Sequence, residues 1–261
     1  MKLKPAINYI LKDKSDKEWI DYAVESGFKY MEISARNLPE DPSEKDKIIN
    51  YAKKKGLEMS IHSPFGKNNI IDTDEENRRK SIAQVKDTID LAAKHNLISV
   101  TFHPGRLSNE DESEEDKWEQ LLKTVAEIAE YAKEKRVYIG LENMEKRPFE
   151  FVLTIEDLNR FSEIGKDNPY FGVTLDFVHF SSLAITNPDL SKLKLPVHSV
   201  HLSQGFDGKM HFPLTVENGM VDLKNVCELL KNYGYASLVV FEVREEHIEC
   251  KRIFEDAMLQ L

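Results

Sequence analysis

Short apolar runs alternate along the whole chain with longer segments in which apolar residues recur every three or four positions. A short apolar run between turn-forming residues predicts a buried strand, and the longer segments predict amphipathic helices. The predicted strands are residues 3–7, 30–33, 58–62, 98–103, 137–142, 170–176, 197–202 and 238–243. The predicted helices are residues 16–26, 43–55, 74–95, 114–135, 154–164, 222–233 and 245–258, with a weaker pattern at 188–193.

Eight strand-then-helix units without a break in composition predict an α/β fold, a single (β/α)8 TIM barrel domain over residues 1–261. An open doubly wound sheet is the alternative, but no Gly-rich phosphate-binding fingerprint follows the first strand. The helix ends agree with these boundaries. Gly27, Gly56 and Gly234 directly follow helical segments, where a left-handed cap is expected, and Thr154 with Asp157 forms a capping-box pattern.

Composition narrows the class of protein. Hydrophobic residues make up 41% of the chain, which is enough for a globular core. The net charge of −10 disfavours sequence-independent binding to polyanions, and the acidic segment 108–116 after the fourth strand predicts a solvated loop at a helix N-terminus. Two cysteines, Cys227 and Cys250, exclude a disulfide scaffold. No apolar run resembles a signal peptide or a membrane span, so we expect a cytoplasmic protein without a membrane partner.

Side chains of the types that bind metal ions, His, Glu and Asp, lie at the C-terminal ends of six predicted strands. A barrel brings these ends to one mouth, where carboxylates and imidazoles together suit Zn²⁺, Mn²⁺, Co²⁺ or Fe²⁺. Pro104 supports this arrangement, because proline forces an extended exit at the residue before it. We therefore predict one or two divalent ions per chain. The candidate ligands are His62, His103, Glu142, Asp176, His201 and Glu242.

The remaining histidines and several basic residues have other expected roles. His95 and His247 lie in predicted helices without a converging partner, so we expect them at the surface. His198, near the start of its strand, is expected to pack at the lower end of the barrel. Four basic residues near strand ends are candidates to receive a phosphate or carboxylate of a substrate. They are Arg106, Arg147, Lys209 and Arg244.

With these residues in place, the chain resembles the xylose-isomerase-like barrel superfamily, which groups sugar isomerases and epimerases with the DNA-repair enzyme endonuclease IV. The resemblance covers most of the chain and is specific for the superfamily rather than for one reaction. The matching segments are IHSPF at 61–65, FHPG at 102–105, LENM at 141–144, LDFVH at 175–179, VHL at 200–202, HFPL at 211–214 and FE at 241–242.

The resemblance implies roles for these residues. Glu142, Asp176, His201 and Glu242 would form the central metal site common to both branches. In the epimerase branch, Glu142 and Glu242 would also exchange protons with substrate carbons. The endonuclease branch adds a second metal between His62, His103 and Glu142, and a third at His179 and His211. We also expect His179 and His211 to contact substrate, together with Arg106, Lys209 and Arg244.

Two departures from the endonuclease pattern bear on the reaction. The endonuclease pattern has an acid two positions before His211, and this chain has Lys209 there instead. The pattern also has an acid at the end of the motif His-Leu-x-Asp, where this chain has Gln204. A third ion is therefore not expected, because an ammonium group repels a cation. The leading interpretation is a metal-dependent isomerase or epimerase of a small sugar or sugar phosphate. The alternatives are an apurinic-site endonuclease and a non-catalytic sugar or metal binder, and the sequence leaves homo-oligomer formation open.

Overall fold

The computed structural model describes residues 3–9 and 14–261. In these residues, eight parallel strands close into a barrel, in the order β1-β10-β7-β6-β5-β4-β3-β2, which confirms the (β/α)8 prediction. The barrel strands are β1 (Lys4–Asn8), β2 (Tyr30–Ser34), β3 (Glu58–His62), β4 (Val100–Phe102), β5 (Ile139–Glu142), β6 (Phe171–Asp176), β7 (Val197–Leu202) and β10 (Leu238–Phe241). A separate antiparallel pair, β8 (Gln204–Phe206) and β9 (Lys209–Phe212), lies between β7 and the next helix.

Helices surround the barrel and bury their apolar faces against it. The described helices are α1 (Asp16–Glu25), α2 (Pro42–Lys54), α3 (Glu75–His95), α4 (Glu114–Lys135), α5 (Ile155–Asn159), α6 (Ser162–Gly165), α7 (Phe177–Ser181), α8 (Leu223–Tyr233) and α9 (His247–Leu259). The strand side chains that face the helices are almost entirely apolar and buried. The buried polar side chains at the C-terminal strand ends are therefore exceptions in the core. None of the helices in the described part of the chain combines the length and apolarity that a membrane span requires.

Several local predictions are confirmed. Gly27, Gly56 and Gly234 adopt positive φ angles of 74°, 89° and 76° after their helices. The capping box at Thr154 is present, with reciprocal hydrogen bonds between the side chain and backbone of Thr154 and those of Asp157. In the acidic segment 108–116, Ser113 caps α4 and acidic residues occupy its first turn, as the macrodipole of the helix favours.

The helices around β6 differ from the prediction. Residues 154–164 form two short helices instead of one, and 188–193 contains only a 3₁₀ turn at Leu190–Lys192. The helix after β6 is α7, which begins immediately after the strand because the Asp176 carboxylate accepts hydrogen bonds from the backbone N–H groups of Val178 and His179. This capping role is compatible with a ligand role, since only one carboxylate oxygen is used.

The hairpin β8–β9 was not predicted. Its signal is Asp207-Gly208, a pair that favours tight hairpin turns, and both residues have positive φ. Gln204, which replaces the expected acid, is buried and bonds the backbone of Val221 through both ends of its amide, at 2.8 and 2.9 Å. Its role is therefore to attach the hairpin to the loop before α8.

The prediction that His95 and His247 lie at the surface is wrong. Both side chains are buried, with 5% and 1% of their surface exposed. His95 Nε2 lies 2.7 Å from a carboxylate oxygen of Asp46, and His247 Nε2 lies 2.8 Å from the amide oxygen of Asn8. Partners distant in sequence compensate the burial of each ring, and sequence spacing gives no sign of them.

Candidate metal centre

The structure brings the predicted ligands together at the C-terminal mouth of the barrel. Glu142 and Asp176 end β5 and β6, His201 lies on β7, and Glu242 directly follows β10. One ligand atom from each of these four residues lies within 4.8 Å of the others. We call these four residues the central group. Strands bordering one another in the barrel hold three of them, so their backbone positions are rigid.

The central group concentrates charge in a buried space. His201 Nδ1 lies 3.1 Å from Glu142 Oε1 and 2.9 Å from Glu242 Oε2. Burial acts to raise the pKa of Glu142, but the His201, His103 and His62 rings outweigh it and hold that pKa well below its usual value. Burial raises the pKa of Asp176 against the opposing effect of the His179 and His211 rings, and the carboxylates of Glu242 and Glu142 add to the increase. Carboxylates crowded in this way need a cation to compensate them.

Asp176 provides a test of whether a metal ion fits here. Its Oδ1 accepts hydrogen bonds from the backbone N–H groups of Val178 and His179 at 2.8 and 3.2 Å. Its Oδ2 is buried and has no hydrogen-bond partner among the described residues. A buried carboxylate oxygen without a partner is destabilising, and coordination of a cation removes that penalty. The donor set, two glutamates, one aspartate and one imidazole, fits a divalent transition-metal ion.

A second group consists of His62, His103 and Glu142, whose ligand atoms also lie within 4.8 Å of one another. The Nε2 atoms of His62 and His103 are 3.2 and 3.1 Å from Glu142 Oε2. The Nδ1–H of His62 donates to the carbonyl of Ser63 at 2.8 Å, so in the neutral ring a lone pair on Nε2 faces the carboxylate. Two acceptors at this distance require a proton or a metal ion between them. Burial acts to lower the pKa of His62, but the Glu142 carboxylate outweighs it and raises that pKa, so a proton takes this place when no ion is bound. The geometry is compatible with the predicted second ion.

A third group, Glu145 with His179 and His211, contains an acid that the sequence reading missed. Lys209, expected to repel an ion here and to contact substrate, is exposed on β9 and is not part of the cavity wall. Glu145 lies in the loop after β5 and already pairs with Arg147 at 2.6 Å. His179 donates its Nδ1–H to the carbonyl of Asn143 at 2.7 Å, which leaves Nε2 facing Asp176 at 3.7 Å.

Glu32 is a second acid that the sequence reading missed. It lies on β2 with 3% of its surface exposed, and its Oε1 is 3.0 Å from His201 Nε2. Ser60 on β3 donates a hydrogen bond to its other oxygen at 3.2 Å. The geometry of this contact is not that of a hydrogen bond, but a carboxylate this close favours a proton on Nε2 by its charge. A proton on Nε2 leaves Nδ1 as the nitrogen that can bind metal. The available signal was one charged residue inside the otherwise uncharged strand Tyr-Met-Glu-Ile-Ser.

We expect Glu32→Gln to weaken divalent-metal binding about 10- to 100-fold, because partners of ligating histidines typically contribute this much. The measurement is titration of the metal-depleted chain with Mn²⁺ or Zn²⁺. Glu58→Gln, at the exposed start of the adjacent strand, is the matched control and should leave the affinity unchanged. Equal affinities for Glu32→Gln and the unaltered chain would show that Glu32 does not orient His201.

A cavity of about 580 Å³ opens above the three groups. Of the predicted substrate contacts, Arg106, His179, His211 and Arg244 line it, and Arg147 does so as well. The sequence reading did not single out Arg36, Phe65 or Glu150, which also form the wall. Their positions in loops after β2, β3 and β5 give no periodic signal. The volume suits a small molecule rather than a polymer segment.

Glu150 gives the fold a dependence on pH. Burial raises its pKa to about 7, well above the value of an unfolded chain. The folded state therefore holds this proton more tightly, so stability falls as pH rises from about 4.5 to 7.

We expect Glu150→Gln to stabilise the protein by up to about 3 kcal/mol at pH 8 and to change nothing at pH 4. Urea unfolding at both pH values measures this, with exposed Glu255→Gln as the control. A gain that is the same at both pH values would contradict the assignment.

Comparison with known proteins agrees with this fold. The family model described as xylose isomerase-like TIM barrel matches residues 20–259. The uncharacterized protein MJ1311 of Methanocaldococcus jannaschii is 26% identical over 218 residues, 77% of this chain and 70% of that protein. A D-tagatose 3-epimerase-like protein superposes with a TM-score of 0.80 at 21% identity, covering 98% of this chain and 97% of the other.

The endonuclease branch is also represented. Endonuclease IV from Thermus thermophilus superposes with a TM-score of 0.69 at 16% identity, covering 99% of this chain and 100% of the other. At these identities the superpositions establish the fold and leave the reaction open. The family model covers almost the whole barrel, including every residue of the central group. The chain therefore belongs to the xylose isomerase-like TIM barrel family.

Proposed function

We propose that the protein is a divalent-metal-dependent isomerase or epimerase of a small carbohydrate. The observation that carries the proposal is that carboxylate oxygens of Glu142 and Glu242 both lie close to His201 Nδ1, at 3.1 and 2.9 Å. The two carboxylates come from β5 and from the residue after β10, strands that β6 and β7 separate in the barrel. A substrate bound above His201 is thus approached by a carboxylate from two directions. The likeness to a D-tagatose 3-epimerase-like protein supports the same reaction class.

Different residues would have different roles in this reaction. A divalent ion in the central group would polarise a carbonyl and so acidify the hydrogen on the adjacent carbon. Glu142 or Glu242 accepts that hydrogen as a proton, and the other returns a proton to the substrate. The histidine rings around Glu142 keep its pKa low, so the carboxylate is ionised at neutral pH and ready to act as a base. His179, buried beside Asp176, would contact a substrate oxygen.

The test is solvent hydrogen exchange. The chain loaded with Mn²⁺, Co²⁺ or Zn²⁺ is incubated in heavy water with a panel of ketoses and ketose phosphates. We expect one of them to gain deuterium at the carbon beside its carbonyl, detected by mass spectrometry and NMR. If ligands bind but no sugar takes up deuterium with any of the three metals, the protein is instead a binding protein of the same fold.

A second candidate is an apurinic-site endonuclease, and one observation favours it. The described residues contain three groups able to hold an ion, and the third includes an acid, Glu145, which would replace the acid lost at position 209 if it were released from Arg147. The net charge of −10 and the acidic segment 108–116 beside the mouth oppose it, because both repel a phosphate backbone. Efficient cleavage of an abasic-site duplex at physiological salt, abolished by Glu242→Gln, would establish the endonuclease in place of the isomerase.

A further inference from the structure

Three arginines at the cavity mouth have no carboxylate partner among residues 3–9 and 14–261. The chain has nine arginines, and five of them have a carboxylate oxygen within 4.0 Å: Arg78, Arg79, Arg147, Arg160 and Arg252. Of the four without one in residues 3–9 and 14–261, Arg136 ends α4 and the other three line the cavity. We call these three, Arg36, Arg106 and Arg244, the rim arginines. Acids outnumber bases by 46 to 36 in this chain, so unpaired guanidinium groups gathered at one mouth indicate a ligand with negative charge.

Arg36 is held by stacking, and no described residue accepts a hydrogen bond from its guanidinium group. Its guanidinium lies 4.6 Å from the centre of the Phe65 ring. Phe65 in turn stacks on His103, with the ring centres 5.2 Å apart and the planes at 27°. A stacked guanidinium uses its face, and its N–H groups remain at the edge for a planar or tetrahedral anion. Arg36 is therefore positioned on the His103 side of the mouth.

Arg106 starts from a fixed backbone on the same side, three residues after His103. The Asn69 side chain donates to the Arg106 carbonyl at 2.8 Å and accepts from the Arg106 N–H at 3.1 Å. The preceding Gly105 has φ +85°, and a Cβ there would lie 2.5 Å from Asn69 Oδ1. Only glycine allows the loop to approach Asn69 so closely. This loop is thus built to hold Arg106 in one place.

Within the described part of the chain, the acids around the mouth leave the rim arginines largely uncompensated. Glu145 is occupied by Arg147 at 2.6 Å. Glu150 influences Arg106 electrostatically, but no contact within 4.0 Å joins the two side chains, and burial raises the pKa of Glu150 to about 7. At neutral pH that carboxyl group is therefore only partly ionised and offsets a fraction of one charge.

We propose that the carbohydrate substrate carries an anionic group, a phosphate ester or a carboxylate, which Arg36 and Arg106 bind on the His103 side of the cavity. The carbohydrate part of this statement rests on the proposed function, and the anionic part rests on the rim arginines alone. Guanidinium groups bind both kinds of anion through paired hydrogen bonds. Two guanidinium charges match a phosphate dianion better than a carboxylate. Arg244 lies after β10, away from His103, and contributes less.

The experiment measures equilibrium binding to the metal-loaded full chain. Fructose, fructose 6-phosphate and fructuronate share one carbon skeleton and differ only at the last carbon, which is neutral, doubly charged or singly charged. Inorganic phosphate is the fourth probe. We expect fructose 6-phosphate to bind at least about tenfold more tightly than fructose, and Arg36→Ala or Arg106→Ala to weaken it about tenfold or more. Tighter binding of fructuronate than of fructose 6-phosphate would identify the anion as a carboxylate.

The controls separate this inference from the proposed function. Arg79→Ala, an exposed helical arginine outside the cavity, should change nothing, and fructose binding should be the same in all variants. If no anionic probe binds, the rim arginines are not an anion site. The same holds if anionic and neutral probes bind equally in every variant, and deuterium exchange in a neutral ketose would not change that conclusion. Arginine-dependent binding of an anion without deuterium exchange in any sugar would leave the inference standing and overturn the proposed function.

Discussion

Glu142→Gln and Glu242→Gln are each expected to reduce deuterium exchange into the substrate by about a thousandfold or more, because each removes a proton-transfer group and a charged ligand. An amide cannot accept the substrate proton at neutral pH, whereas its oxygen can still face a metal ion. Metal affinity should therefore fall less than exchange, since three members of the central group remain. Exchange is followed by mass spectrometry, and metal content by elemental analysis of the same samples.

Two comparisons make this prediction specific. Glu134→Gln, at an exposed position on α4, should exchange deuterium at the rate of the unaltered chain. His179→Ala should slow turnover and spare the bound metal, because His179 is outside the central group. Wild-type exchange by either glutamate variant, with metal bound, would show that the two-glutamate assignment is incorrect.

Divalent metal is expected to raise the melting temperature of the metal-depleted chain by about 10 °C. The buried carboxylates of the central group repel one another, and Asp176 Oδ2 has no hydrogen-bond partner among the described residues, so an ion bound there stabilises only the folded state. At a free metal concentration about a thousand times the dissociation constant, linkage provides about 4 kcal/mol. For a chain of this length, each kcal/mol of added stability raises the melting temperature by about 2–4 °C.

Asp176→Asn is the decisive variant for this prediction. It retains the α7 capping geometry, since an amide oxygen also accepts the hydrogen bonds from Val178 and His179. The variant should lose most of the metal-dependent rise in melting temperature. Asp87→Asn, on the exposed face of α3, should keep all of it. Calorimetry with and without a chelator measures both. An equal rise in the two variants would place the stabilising ion elsewhere.

The sequence was sufficient to predict the architecture and the central group. Strand ends can be identified from local periodicity, and in a parallel barrel every C-terminal end lies at the same mouth. Glu142 and Asp176 could therefore be assigned to one site without knowledge of any contact between them. The family model confirms the fold from which that assignment followed. The residue types at the strand ends then predicted a divalent-metal site, because few other arrangements tolerate so many buried carboxylates.

The residues that the prediction missed have a common feature. Glu32 lies inside a strand, and its contact with His201 joins β2 to β7, which are separated by β1 and β10 around the barrel. Glu145 and Arg36 lie in loops whose paths no periodicity encodes. His95 and His247 meet Asp46 and Asn8 across 49 and 239 residues of chain. In each case the role depends on a partner that closure of the barrel supplies.

The sequence alone was thus sufficient to locate the eight barrel strands and most of the helices around them, and to show which chemical groups the strand ends carry. It did not predict α7, the hairpin β8–β9 or the division of residues 154–164 into two helices. The properties that it did predict depend on interactions between residues a few positions apart, such as helix caps, turns and the alternation of buried and exposed side chains. The tertiary structure alone decided which nitrogen of His201 faces Glu32, that Glu145 joins His179 and His211, and that Arg36 stacks on Phe65. Those properties depend on the register of the strands and on loop paths, which are set only when the whole barrel closes.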